Sequence, residues 1–470
     1  MLDFAGRKLI VYELNEVPKR VLDSFIARHP ESTLGGLCQC SMFANTHVSD
    51  DGILSPWSTW PTLHRGVTNK THTITDFGQN LTEIDAEYPP IWSLLANSGL
   101  KIGVFGSLHT YPLPDKMDNY LFYMPDTFAA GPEAYPELLE KFQSFNLSMV
   151  DVSARNVKGG LPLLEASRFL LNSKKLGLRA TTGVSIGRQL LSELFDSTRK
   201  TRRRTSQMEL AFDVYEKKLW DTKPDYSCFF TNHVASSMHR YWPGAFPDDY
   251  TNKELPIGWH DKYSDEIDYT MLIADQQIKR LRKFVDRNPG YSLLLLSSMG
   301  QEAVDNDSVV RSQLYATDLE QFLRALGVDA SFWARKRAML PRYIIEVAEG
   351  KLVVVRDALG RLRIQGQPVQ WKEHERGVFM IKLGHVNVSA DELVVELNGR
   401  TIDHRQIGLE VVEIDDATGS YAYHMPKGIM IHYDPSNPKQ TNVDMTVDTT
   451  EIAPSIMRNF GLEPMSYMKL

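Results

Sequence analysis

A chain of 470 residues has room for up to three domains at about 150 residues each, although one elaborated domain is the expectation. With 42% hydrophobic and 24% charged residues it reads as a globular protein, and the net charge of −7 argues against nucleic acid as its main partner. Cys38, Cys40 and Cys228 leave an odd count, so no disulfide framework is expected, and Cys38-Gln39-Cys40 has no second pair to complete a metal site. No apolar run approaches the roughly 20 residues that span a bilayer. Met1–Arg7 shows no charged, apolar and small-residue leader pattern, which reads as a cytoplasmic chain.

In chain order, Leu9–Leu14 reads as an apolar strand, followed at Ser58–Phe77 by a stretch resembling a nucleophile loop. Thr59 is followed by Trp60-Pro61. A proline in a first helical turn would set Thr59 at a helix N-terminus, which favours an anion; the alternative is an ordinary capped helix. Ile91–Ser98 and Lys101–Phe105 continue a helix and strand alternation, the pattern of a parallel sheet. In such sheets reactive groups gather at the carboxyl ends of strands, where Asn15, Thr59, His239 and Ser298 would converge.

Residues 113–221 break the alternation. Glu133–Phe145, Leu161–Leu171 and Gly183–Lys218 read as helices, so the segment is expected to be a helical cap. Within it, Arg199-Lys200-Thr201-Arg202-Arg203-Arg204 offers guanidinium forks that suit phosphate, with Arg202 and Arg203 as candidates. A solvated helix face is the alternative. Asp225–Thr231 is a buried strand delivering Asn232, His233 and His239; a helix over Ser264–Asn288 and a strand over Tyr291–Leu296 follow. Arg342–Val355, Leu362–Ile364, Gly377–Lys382 and Leu393–Leu397 read as a β-rich insertion, with hairpin turns at Ala358-Leu359-Gly360 and Asn398-Gly399. The expected organisation is a core of residues 1–112, 222–339 and 421–470, a cap of 113–221 and a β-rich insert of 340–420 near His424.

Several segments carry a resemblance. Lys8–Pro18 with Asn15-Glu16, Thr59-Trp60-Pro61, Thr68-Asn69, His72-Thr73-Ile74, His109-Thr110-Tyr111-Pro112, His424-Met425-Pro426-Lys427-Gly428 and Val447–Ile456 occur in an order similar to the alkaline phosphatase superfamily. The type I phosphodiesterase and nucleotide pyrophosphatase branch fits best. Asn15-Glu16 stands where that family has Asp-Gly. The resemblance implies an α/β core, a mostly parallel sheet between helices, a threonine nucleophile and a two-metal centre. Of the implied site positions, Thr59, His239 and His424 are kept. Asn15, Ala235, Ser298 and Met299 depart from the pattern, with Glu13 the alternative to Asn15, so two metals are not expected.

One divalent cation, zinc first among the candidates, remains: it would be held by His233, His239 and His424 with help from Asn15 or Asn232. A metal-free site is the other outcome. Ser298, Gln301 and Glu302 are candidate replacement polar groups. The function expected is hydrolysis or transfer of a phosphate (phosphodiester) or sulfate ester on a small molecule or glycan, with Thr59 attacking. The alternative is an inactive binding or scaffolding relative.

Overall fold

In the computed structural model, residues 2–468 are described except 77, 154–168, 170, 251–254, 305–308, 337, 339, 415 and 439–440. The helix expected over Leu161–Leu171 lies outside the described residues apart from Phe169 and Leu171. The chain forms two units, one of Met1–Ser148, Pro162–Asp307 and Ser420–Leu470, the other of Met149–Leu161 and Ser308–Gly419.

The first unit is a mixed α/β fold around an eight-stranded sheet. It contains β1 (Lys8–Leu14), β2 (Met42–His47), β3 (Ile102–Phe105), β4 (Tyr120–Met124), β5 (Tyr226–Thr231) and β6 (Tyr291–Leu296). The spatial order is Thr441–Asp448, β2, Lys427–Tyr433, β6, β1, β5, β3, β4. Neighbours run parallel except Lys427–Tyr433, which is antiparallel to both β2 and β6.

The central strands are apolar runs because both faces are covered: β1 is buried from Leu9 onward and β6 throughout. The strand period of two splits β1 between the faces. Tyr12 donates to Gln277 on the helix Glu266–Arg287 at 2.6 Å, while Glu13 meets His64 on the helix Pro56–Arg65 at 2.8 Å.

Two elements expected in the cap are claimed by the sheet. β4 extends it beside β3, and the helix Arg203–Thr222 packs Phe212 and Tyr215 against Phe229 of β5 at 5.3 and 4.9 Å between ring centroids. Between them, Gly183–Lys218 divides into two helices, Ala180–Phe195 and Arg203–Thr222, joined by a tight turn over Ser197–Arg202.

The second unit begins at Ser308 in its main segment, not at 340. A four-stranded antiparallel sheet runs in the order Gln370–Glu375, Val378–Lys382, Arg342–Val347, Trp333–Lys336. Its core gathers Leu314, Phe322, Ile345, Val355, Leu359 and Phe379. The strand beginning at Arg342 stops at Val347, and Leu352–Arg361 is a helix, so the hairpin expected at Ala358-Leu359-Gly360 is absent. Burying Leu352, Val355 and Leu359 on one helical stripe outweighs the β preference of the valine run. Asn398-Gly399 does turn a hairpin, both residues adopting positive φ between Val395–Leu397 and Arg400–Ile402.

Candidate functional site

Four strand ends and one helix build the site. Where β1 stops, the Asn15 amide still donates to Thr231 of β5 at 3.1 Å, and Glu16 turns the chain with φ +60°. That left-handed conformation costs a non-glycine residue about 1–2 kcal/mol, and here it aims a carboxylate into the site. After β5 comes the helix His233–Ala245, with His239 one turn beyond Ala235. After β6, β7 (Gly300–Ala303) pairs antiparallel with Ala422–Met425, placing Gln301 opposite His424. Directly opposed residues share a sheet face, so both side chains point the same way.

Glu16, His239 and His424 converge, their ligand atoms lying within 4.8 Å of one another. Glu16 Oε2 is 3.1 Å from His239 Nε2 and 3.3 Å from His424 Nε2. Each imidazole is oriented from behind. His239 Nδ1 donates to the Ala422 carbonyl at 2.7 Å, and His424 Nδ1 to the Leu54 carbonyl at 2.7 Å. A carbonyl can only accept, so Nδ1 carries a proton on both rings, and each ring turns its Nε2 toward one carboxylate oxygen, offering a lone pair there when the imidazole is neutral. Three electron-pair donors facing one another repel unless a cation or a proton lies among them. This donor set therefore fits one divalent metal ion, with histidines backed by carbonyls in the manner of metal ligands.

A proton competes for the same place, as the directions of the pKa shifts show. Burial pushes the Glu16 carboxyl upward, but His424, His239 and their hydrogen bonds more than offset it, holding the group well below the usual carboxylate range. For His424 burial acts downward, while Glu16 and the Leu54 carbonyl raise the pKa above its ordinary value.

Glu16 is also held from its other side. Asn15 Nδ2 donates to Glu16 Oε1 at 2.9 Å and to Asn232 Oδ1 at 2.7 Å, and Asn15 Oδ1 accepts the Trp60 indole N–H at 2.8 Å. Gln301 Nε2 donates to Glu16 Oε2 and to the Ala235 carbonyl. Its buried Oε1 meets no donor among the described residues, leaving an acceptor at the edge of the cluster.

The expected residues divide sharply. His239 and His424 are in the cluster, whereas His233 is not. Its Nδ1 accepts from the Thr231 hydroxyl, its Nε2 donates to the Thr270 carbonyl at 3.1 Å, and burial lowers its pKa to about 4. Both ring nitrogens are engaged, so it is a neutral structural histidine. Asn15 sits at the site as the group that positions Glu16.

Thr59 lies one turn inside the helix Pro56–Arg65, whose N-cap is Ser55, so it does not open a helix. Fully buried, its hydroxyl is paired with the equally buried Ser298 at 2.9 Å. Glu302 is exposed, since alternation along β7 turns it away from Gln301.

Arg202 and Arg203 are committed to carboxylates. Arg202 grips Glu266 at 2.7 to 3.0 Å under a cation–π contact with Tyr269, and Arg203 grips Glu193 at 2.7 to 3.2 Å. Forks spent on buried carboxylates are structural ion pairs, not a phosphate grip. Glu16 is the site residue that sequence reasoning passed over. The signal was present in the carboxylate missing at Ala235: a site keeping two metal-type histidines needs its negative charge from elsewhere.

No family model matches the chain, and no curated protein matches it. Similar solved structures include an inactive variant of murine ectonucleotide pyrophosphatase/phosphodiesterase 5 in complex with AMP, at 12% identity, covering 98% of this chain and 96% of that chain, TM-score 0.38. Phosphonoacetate hydrolase from Sinorhizobium meliloti 1021 in complex with phosphonoformate gives 10% identity, 96% and 95% coverage, and TM-score 0.41. Human ectonucleotide pyrophosphatase/phosphodiesterase 5 gives 11%, 98% and 96%, and 0.37. Likeness of this degree assigns the chain no activity and its residues no role.

Proposed function

We propose that this protein hydrolyses or transfers a phosphate or sulfate ester with the help of one divalent cation, zinc first, held by Glu16, His239 and His424. The observation that carries the reading is the aim of two carbonyl-backed Nε2 atoms at a single Glu16 oxygen. When bound, such a cation polarises an ester oxygen and makes an attacking oxygen more nucleophilic. The chain's residues supply the rest. Glu16 and His424 form the floor, 3% and 9% exposed, while His239, 25% exposed, marks the side from which substrate approaches. Asn15 and Gln301 fix the carboxylate. The substrate class comes from the motif resemblance, which also gives Thr59 the attacking role; that role requires Thr59 to leave Ser298 and gain access to substrate.

Turnover of nitrophenyl phosphodiesters, phosphomonoesters and sulfate esters by the zinc-loaded chain tests this. Activity that disappears in His424→Ala supports it, and Thr59→Ala then reports whether threonine attacks. No turnover of any of these esters with zinc, manganese, magnesium or iron(II) would transfer the reading to a binding or scaffolding protein.

A further inference from the structure

The helix Ala180–Phe195 is turned inside out. Its buried side chains are Thr182, Gln189 and Glu193, while Val184, Leu190, Leu191, Leu194 and Phe195 are exposed, Leu194 at 78% and Phe195 at 91%. The orientation is fixed. Glu193 holds Arg203, and Gln189 donates to the Arg199 carbonyl at 2.6 Å, so rolling the helix to bury its leucines would break a buried ion pair. Val184, Arg188, Leu191 and Leu194 follow steps of three and four residues and form one outward stripe. The only carboxylate of the helix is the buried Glu193, so the outward charge is that of Arg188 alone. Exposed Lys174 and Lys175 precede the helix and partly exposed Lys200 follows it, while Asp196, the partly exposed carboxylate at its C-terminal cap, is paired with Arg199 at 3.2 Å. With Tyr269 the helix also walls a mainly apolar groove of about 600 Å³, lined by Val184 and Arg188 among others.

We infer that this helix docks the protein on an anionic lipid surface, its apolar stripe entering the headgroup boundary and its cations meeting lipid phosphates. An outward face of leucine and phenylalanine with arginine and no carboxylate has the chemistry of an interfacial helix. A second copy of the chain is the other occupant an apolar stripe could take, but it offers no anion to the outward arginine. No helix among the described residues is long and apolar enough to cross a membrane, so the attachment is peripheral.

Sedimentation of the full chain with vesicles tests the inference, comparing pure phosphatidylcholine with the same lipid carrying about 30% phosphatidylserine. Selective binding to the anionic vesicles is expected, weakening as salt rises. The double variant Leu194→Ser/Phe195→Ser changes exposed positions only, and an unchanged circular dichroism spectrum and melting point would verify its fold. It should lower the bound-to-free ratio by roughly tenfold or more, and Arg188→Gln should reduce the preference for anionic vesicles. Absent binding, equal binding to both vesicles or unchanged binding by the double variant overturns the inference. So does a dimer in solution that the double variant abolishes while vesicles bind neither protein.

Discussion

Gln301 and His424 face each other across an antiparallel strand pair, and both reach the same carboxylate oxygen, Oε2 of Glu16. The amide restrains that oxygen, and the imidazole shares with it whatever cation lies there. Gln301→Met keeps the length of the side chain and removes the donor. It is expected to weaken zinc binding by about 10- to 100-fold, whereas Glu302→Gln, one residue along and turned outward, should leave it unchanged. Competition against a chromophoric chelator measures both, and equal effects would contradict the assignment.

Trp60 acts at one remove. Its indole N–H is the donor to Asn15 Oδ1, and Asn15 in turn holds Glu16 Oε1. Trp60→Phe leaves a buried acceptor unmet and should cost about 1–3 kcal/mol in urea denaturation. A loss below about 0.5 kcal/mol would mean that the contact is incidental.

The central strands were legible because β1, β5 and β6 are apolar runs ended by polar residues. The histidines at 239 and 424 were legible because each sits in a recognisable motif. Glu16 escaped because it occupies the place where the motif has glycine. That position needs a positive φ, and a glutamate adopting it moves the site's carboxylate one residue along the chain. The basic cluster misled for a different reason: the carboxylate that absorbs Arg202, Glu266, lies 64 residues away, and sequence proximity shows only the unpaired arginines. The helix over Leu352–Arg361 was hidden by its valine run, whose preference for strand gave way to tertiary packing.

Because Arg202 is spent on Glu266, Arg202→Ala should act on folding and leave substrate affinity alone. Glu266 would keep only its 3.3 Å contact with Arg199, so the cost should fall short of the roughly 3–5 kcal/mol of a fully orphaned buried charge but exceed about 1 kcal/mol. Thermal melting reads the loss. A rise in KM at unchanged stability would restore the arginine to the substrate.

Acid should destabilise the protein through histidines outside the site. Burial lowers His72 and His109 to about 3 and His233 to about 4, against an ordinary 6.5. Each stays neutral in the fold while the unfolded chain takes up a proton below pH 6.5, so their contribution is complete above 6.5 and is lost as pH falls toward 4. Burial also raises Glu209 to about 7 and Asp126 to about 6, and raises Asp50 and Asp85, which opposes this; but His432, lowered to about 4, makes a fourth imidazole, and each imidazole loses stability over the whole interval from pH 6.5 to 5, whereas Asp126 responds only below 6. The urea midpoint should therefore fall between pH 7.5 and pH 5, and a higher midpoint at pH 5 would refute the sign.

Metal stoichiometry tests the central claim most directly. The purified chain, stripped with chelator and titrated with zinc in a calorimeter, should bind one equivalent. Glu16→Gln, His239→Ala and His424→Ala should each lower the affinity by at least about tenfold, while His233→Ala leaves it in place. Two equivalents, none, or one equivalent indifferent to Glu16→Gln would contradict the Glu16, His239 and His424 centre.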